Sequence, residues 1–229
     1  MQCAVVWQAL PEVSAMYAAR LRTAARGPAN SNRDVPDVDD QRGRARELKL
    51  RTRPLREQWE ARGPGLLLAL SRRLSWLVLP RAVTVALVHP VRGGGGLIVS
   101  DATIWFEAVL ANPLPHLPEV VRLGWFVAQL AARQVLGNMR GVCPDRVSLE
   151  NLLAAALIPP VLAAGEQVEL SSADTVMIQA ALRAWHLTSQ PTAAPSAEQL
   201  DQWWRQDGSN DTQDARTWWQ AVDDSLRIA

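Results

Sequence analysis

The sequence predicts an α+β fold, predominantly α, with a small central β-sheet flanked by helices and a C-terminal helical hairpin. Three observations carry this. Residues 82–89 (Ala82-Val83-Thr84-Val85-Ala86-Leu87-Val88-His89) are an apolar, β-branched run closed by Pro90, as in a buried strand. Residues 102–110 read as a second strand, with Gly93 to Gly96 as a loop and 97–99 as a short strand before it. Nearly everything else repeats at helical spacing.

The helices are justified one by one. Pro11 suits the first turn of a helix over 11–26, in which Val13, Met16, Tyr17 and Leu21 share a face, and Gly27-Pro28 ends it. Residues 29–46 are polar and without apolar period, so residues 1–46 are expected to be a flexible helix and arm outside the core. A helix over 54–62 carries Leu55 and Trp59, and Gly63-Pro64 stops it. The next, over 65–78, has Leu66, Leu67, Leu70, Leu74 and Leu77 on one side. Beyond the strands, Pro118 opens a long buried helix with Glu119 in its first turn, and Gly137-Asn138 ends it. A helix over 148–158 is broken at Pro159-Pro160. Ser171-Ser172-Ala173-Asp174 caps a helix to Leu187. Ser196-Ala197-Glu198-Gln199 caps another to Gly208, and a last one covers about 212–227. The resulting division is a flexible 1–46, a main α+β domain over 47–190, and a Trp-rich acidic hairpin over 191–229.

Composition excludes several classes. A chain of 229 residues, 48% hydrophobic and 21% charged, can bury a core without disulfides or metal. Cys3 and Cys143 form no CxxC pair, which fits a reducing compartment. The start, Met1 to Trp7, lacks the basic flank of a signal peptide, and no run of roughly 20 apolar residues spans a membrane. A cytoplasmic protein is expected. Net charge is +1 but segregated: residues 1–73 hold fourteen Lys/Arg and eight Asp/Glu, residues 147–229 four and eleven. Either the two ends attract each other, or the basic segment 42–73, with Arg42, Arg44, Arg46, Lys49, Arg51 and Arg53, meets nucleic acid.

Chemical motifs are sparse. There is no phosphate loop, no nucleophile elbow and no histidine pair at helical spacing, so no cofactor and no metal are expected. Glu107 in a strand and Glu119 at a helix start are candidates for paired acid–base carboxylates. Cys143, in a loop between Arg140 and Arg146, is a candidate nucleophile.

In residues 66–136 the order is helix, strand, Gly-rich loop, strand and long buried helix. This order resembles the core of the zincin-like metallopeptidases, in which that helix carries His-Glu-x-x-His. Here it reads Pro118-Glu119-Val120-Val121-Arg122-Leu123-Gly124-Trp125-Phe126-Val127-Ala128-Gln129-Leu130, with no histidine. The resemblance implies the scaffold without the zinc chemistry, and a cleft near Gly93–Gly96.

Tryptophan is the strongest deviation: ten, against one Tyr and two Phe. Neighbours on a helix diverge by about 100°, so one member of each pair Trp203-Trp204 and Trp218-Trp219 is expected to be half exposed. The expected function is therefore non-enzymatic binding of another protein, or self-association, through Trp203, Trp204, Trp218 and Trp219. The alternatives are a hydrolase-like or inactive zincin-like protein with a cleft at the glycine loop, and nucleic-acid association through 42–73.

Overall fold

A computed structural model describes residues 3–9, 13, 14, 16–18, 20, 38–90, 94–109, 114–137, 146–185, 195–209 and 214–226; within these, the side chains of 38–42, 44, 45 and 146–149 are not described. The chain is α+β and predominantly α. A four-stranded sheet is built from β1 (Ala4–Ala9), β2 (Ala82–Val88), β3 (Gly96–Ser100) and β4 (Thr103–Glu107). Its order is β1-β2-β4-β3. β1 and β4 lie parallel to β2, and β3 returns antiparallel to β4.

β1 corrects the expectation that residues 1–46 stay outside the core. It pairs along its whole length with β2, from Ala4 opposite Ala82 to Ala9 opposite Leu87. Val5, Trp7 and Ala9 turn inward while Ala4, Val6 and Gln8 face solvent, the period-two pattern of an edge strand. Residues 13, 14, 16–18 and 20 are helical and lie on one sheet face, where Tyr17 and Val13 pack with Trp105, Leu97 and Val99. β4 alternates between the two faces: Ile104 and Phe106 join the main core, Trp105 the smaller cluster under Tyr17.

A 36-residue helix, α1 (Val38–Arg73), takes in 38–46 of the expected arm and the helix over 54–62, with no stop at Gly63-Pro64. It runs straight through Pro54 and Pro64. Each proline removes one ladder bond, but Leu48, Leu55, Trp59, Leu66, Leu67 and Leu70 bury one continuous face, and that burial outweighs the loss. Gly63 serves packing: a Cβ there would sit 2.5 Å from the Trp59 ring.

The helical layer continues with α2 (Glu119–Gly137), α3 (Arg146–Ala156), α4 (Ile158–Gln167), α5 (Thr175–Ala184), α6 (Ala197–Trp203) and α7 (Ala215–Leu226). The expected break is present: α3 ends at Ala156, and Pro159-Pro160 lie in the first turn of the next helix. They open α4, where a missing N–H costs nothing. Asp174, not Ser171, caps α5, accepting from the Met177 N–H at 2.8 Å. Ser196 and Gln199 form the expected capping box of α6. α2 crosses α1 closely because Gly124 has no side chain; a Cβ would sit 2.6 Å from Leu66.

The C-terminal helices share the main core, so 191–229 is not a separate hairpin. All four of its tryptophans are buried, which corrects the expected half-exposed pairs. After α6 the helix widens into a π-turn, Trp204–Gly208, and Gly208 leaves room for both indoles of Trp203-Trp204. Trp218 is wedged between Trp76 and Trp203, at ring distances of 4.9 and 5.5 Å. No helix of the described residues is long and apolar enough to cross a membrane.

Candidate functional site

Glu107 and Glu119, the two carboxylates singled out from sequence, meet around one arginine. Glu107 ends β4 with 0% exposure. Its carboxylate accepts from the Tyr17 hydroxyl at 3.0 Å, the Gly94 N–H at 2.8 Å and the Gly95 N–H at 3.0 Å. Burying such a charge costs several kcal/mol, and charge-assisted bonds from a phenol and two amides offset it. Arg122, 1% exposed, lies one turn into α2. It donates to the Gly95 carbonyl at 2.6 Å, the Glu107 carbonyl at 2.9 Å and the Glu119 carboxylate, and its guanidinium stacks 3.9 Å from the Phe106 ring centre. Arg122 therefore pairs with the Glu119 carboxylate and holds Glu107 through its main chain. Burial pushes the Glu119 carboxyl above the usual glutamate range, Arg122 opposes this, and the charge of Glu107 adds to it.

This network fixes the glycine loop against β4 and α2, and so shapes a cleft beside it. The cleft, about 220 Å3, is bounded by Gly95, Gly96 and Ile98 on one side and by Trp125, Gln129 and Trp185 on another. A second cleft of about 400 Å3 continues along Ile98, Val99 and Ser100 toward Leu136. Ile98, Arg133 and Glu150 line both, so the two clefts adjoin along β3. Their floor is α2 and their far wall α3. Arg133 and Glu150 span them as an ion pair at 3.2 Å.

β3 is the sheet's last strand on this side among the described residues. The Glu107 N–H bonds the Gly95 carbonyl at 3.1 Å, which makes 95 and 107 a hydrogen-bonded antiparallel pair. Alternation then bonds Leu97 to Trp105 and turns the N–H and C=O of Gly96 and Ile98 away from β4. Gln129, 4% exposed, lines the inner cleft, and its side-chain Nε2 is buried without an acceptor.

The other sequence candidates lie elsewhere. Trp203, Trp204, Trp218 and Trp219 are interior, away from these clefts. Cys143 falls outside the described residues, as do the side chains of Arg42 and Arg44. Lys49 and Arg53 line a separate cleft of about 540 Å3 between β1 and α1, and Arg46 is exposed. Along α1, Arg51 pairs with Glu47, Arg53 with Glu57 and Arg56 with Glu60, each at 2.7 Å. Much of the positive stretch is thus balanced within its own helix rather than by the acidic C-terminal segment.

No family model, curated protein or solved structure matches the chain. The site must be read from its own geometry.

Sequence reasoning missed Tyr17, Arg122, Gln129 and Arg133. Arg122 left a signal: a cation three residues after Glu119, in the mostly apolar first half of its helix. Tyr17 left none, since its partner is 90 positions away.

Proposed function

We propose that this protein is a non-enzymatic binding module that seats an extended segment of another polypeptide along the edge of β3 that no described strand covers. The observation that carries this is a pair of adjoining clefts, floored by α2, beside a strand whose Gly96 and Ile98 backbone groups point away from β4. Strand addition draws affinity from main-chain hydrogen bonds and specificity from alternate side-chain pockets. Binding rather than hydrolysis fits α2, whose residues 119–137 include no histidine. On this reading the scaffold is zincin-like in element order and keeps a peptide groove without the zinc ligands. A reducing, cytoplasmic setting suits Cys3, which stands as a free thiol. The buried tryptophans of α6 and α7 support the groove from behind as core.

The test is selection of a random peptide display library on the purified full chain, followed by titration of the enriched peptides against wild type and Ile98→Pro. The Ile98 N–H takes no part in the β4 ladder, so proline at this edge leaves the ladder intact while it removes a groove donor and the Ile98 side chain that packs on the core. Enriched peptides should lose about tenfold or more in affinity for the folded variant. Failure to enrich any peptide, or unchanged affinity for folded Ile98→Pro, rejects the reading.

A further inference from the structure

We propose that Arg133 and Glu150 select the bound segment: the ligand residue paired with Ile98 carries a side-chain amide, Gln or Asn, that bridges the two ions. The proposal rests on the edge-strand reading and adds to it the residue class that the clefts prefer.

Register places this residue. In a ladder, residues opposite each other point their side chains to the same face of the sheet. Ile98 packs against the main core, on the α2 side, whereas Leu97 and Val99 pack with the smaller cluster under Tyr17. The residue opposite Ile98 therefore points to the side on which Arg133 of α2 and Glu150 of α3 line the clefts together with Ile98. These two are the charged side chains of the inner cleft among the described residues, and Asp101 joins them in the outer cleft alone. Chemistry then picks the amide. The ion pair is long for a charge-assisted bond, 3.2 Å against about 2.7–2.9 Å, and its side chains stay 32% and 48% exposed, so both ions keep bonding capacity for a ligand. A ligand carboxylate gains from Arg133 and loses to Glu150, and an ammonium does the reverse. A purely apolar group strips water from both ions and returns no bond. An amide offers its oxygen to the guanidinium and its NH2 to the carboxylate, at no net charge. Tyr17 and Asn151 add polar groups to the same lining, which suits a polar occupant.

The experiment is a positional scan of the best enriched peptide, each position replaced in turn by Gln, Asn, Glu, Lys and Leu, titrated against wild type, Arg133→Gln, Glu150→Gln and Ile98→Pro. With wild type, one position should prefer Gln or Asn over the other three by roughly fivefold or more. At that position Arg133→Gln should move the preference to Lys and Glu150→Gln should move it to Glu, each by roughly tenfold. Losing a partly exposed ion pair should lower Tm little, so these variants report on binding rather than on folding. A flat scan, a preference for Leu, or a preference that either substitution leaves unmoved overturns the role of the ion pair, and the edge-strand reading stands. If no peptide binds in an Ile98-dependent way, both fall.

Discussion

Arg122 joins the glycine loop, the end of β4 and the first turn of α2 at one point. Three acceptors depend on it: the buried carbonyls of Gly95 and Glu107 and the part-buried carboxylate of Glu119. Removing one partner of a buried ionic network leaves the others uncompensated. Arg122→Met is therefore expected to cost about 3–5 kcal/mol, read from urea denaturation, although methionine fills the same space. Glu119 adds a pH dependence. Its folded pKa lies above the ordinary 4.5, mainly through burial, against the pull of Arg122. The folded chain then holds this proton more tightly than the unfolded chain. Its contribution favours folding below 4.5 and declines as the pH rises through the raised folded value. Glu119→Gln should flatten that decline, visible as a difference in urea midpoint between the two proteins across the acid range. Cys3 illustrates the same physics at a thiol: burial pushes it up to about 11. At neutral pH it stays protonated, so iodoacetamide should label it slowly in the native protein and fast after denaturation. At this scale the sequence exposed Glu107 and Glu119 as charges in apolar surroundings. It could not show that they converge, because Tyr17 and Arg122 come from other elements.

Elements were most legible where one period dominates. β2 and α2 lie where their apolar patterns place them, within a residue or two at each end. Breaker residues differed in worth: Gly63-Pro64 is a strong local stop signal, yet it sits inside α1, while Pro159-Pro160 mark a real break, between α3 and α4. Local propensity amounts to a few kcal/mol, and the buried leucine face of α1 outweighs it. The proline still carries its cost. Pro64 is exposed, so Pro64→Ala should restore one backbone bond without disturbing the core and raise stability by about 1–3 kcal/mol, measurable as a higher Tm. β1 escaped notice for a different reason. Val5 and Val6 are adjacent and both apolar, which hides the alternation that Val5, Trp7 and Ala9 follow once β2 is beside them.

For the whole molecule, one core runs from Leu48 in α1 to Leu226 in α7. None of the ten tryptophans is exposed, and those of the C-terminal helices are held by packing: the indole N–H groups of Trp203, Trp218 and Trp219 have no acceptor among the described residues. Deleting residues 195–229 should therefore uncover Trp76 and neighbouring core, shift tryptophan emission to the red and produce a chain that binds hydrophobic dyes. A deletion that leaves a compact monomer with native-like emission would contradict the shared core. The α+β class was legible because it depends on element counts. The groove was not, because its walls come from residues near 96, 129 and 150, and nothing local marks a chain segment as the last strand of a sheet. The same long-range pairing has a consequence during synthesis. β1 is made first, but Ala4 finds its partner about 80 positions later. At ~5–20 residues per second, the first strand must wait roughly 4–16 s on the ribosome before β2 exists, with both its edges open to whatever else is nascent nearby.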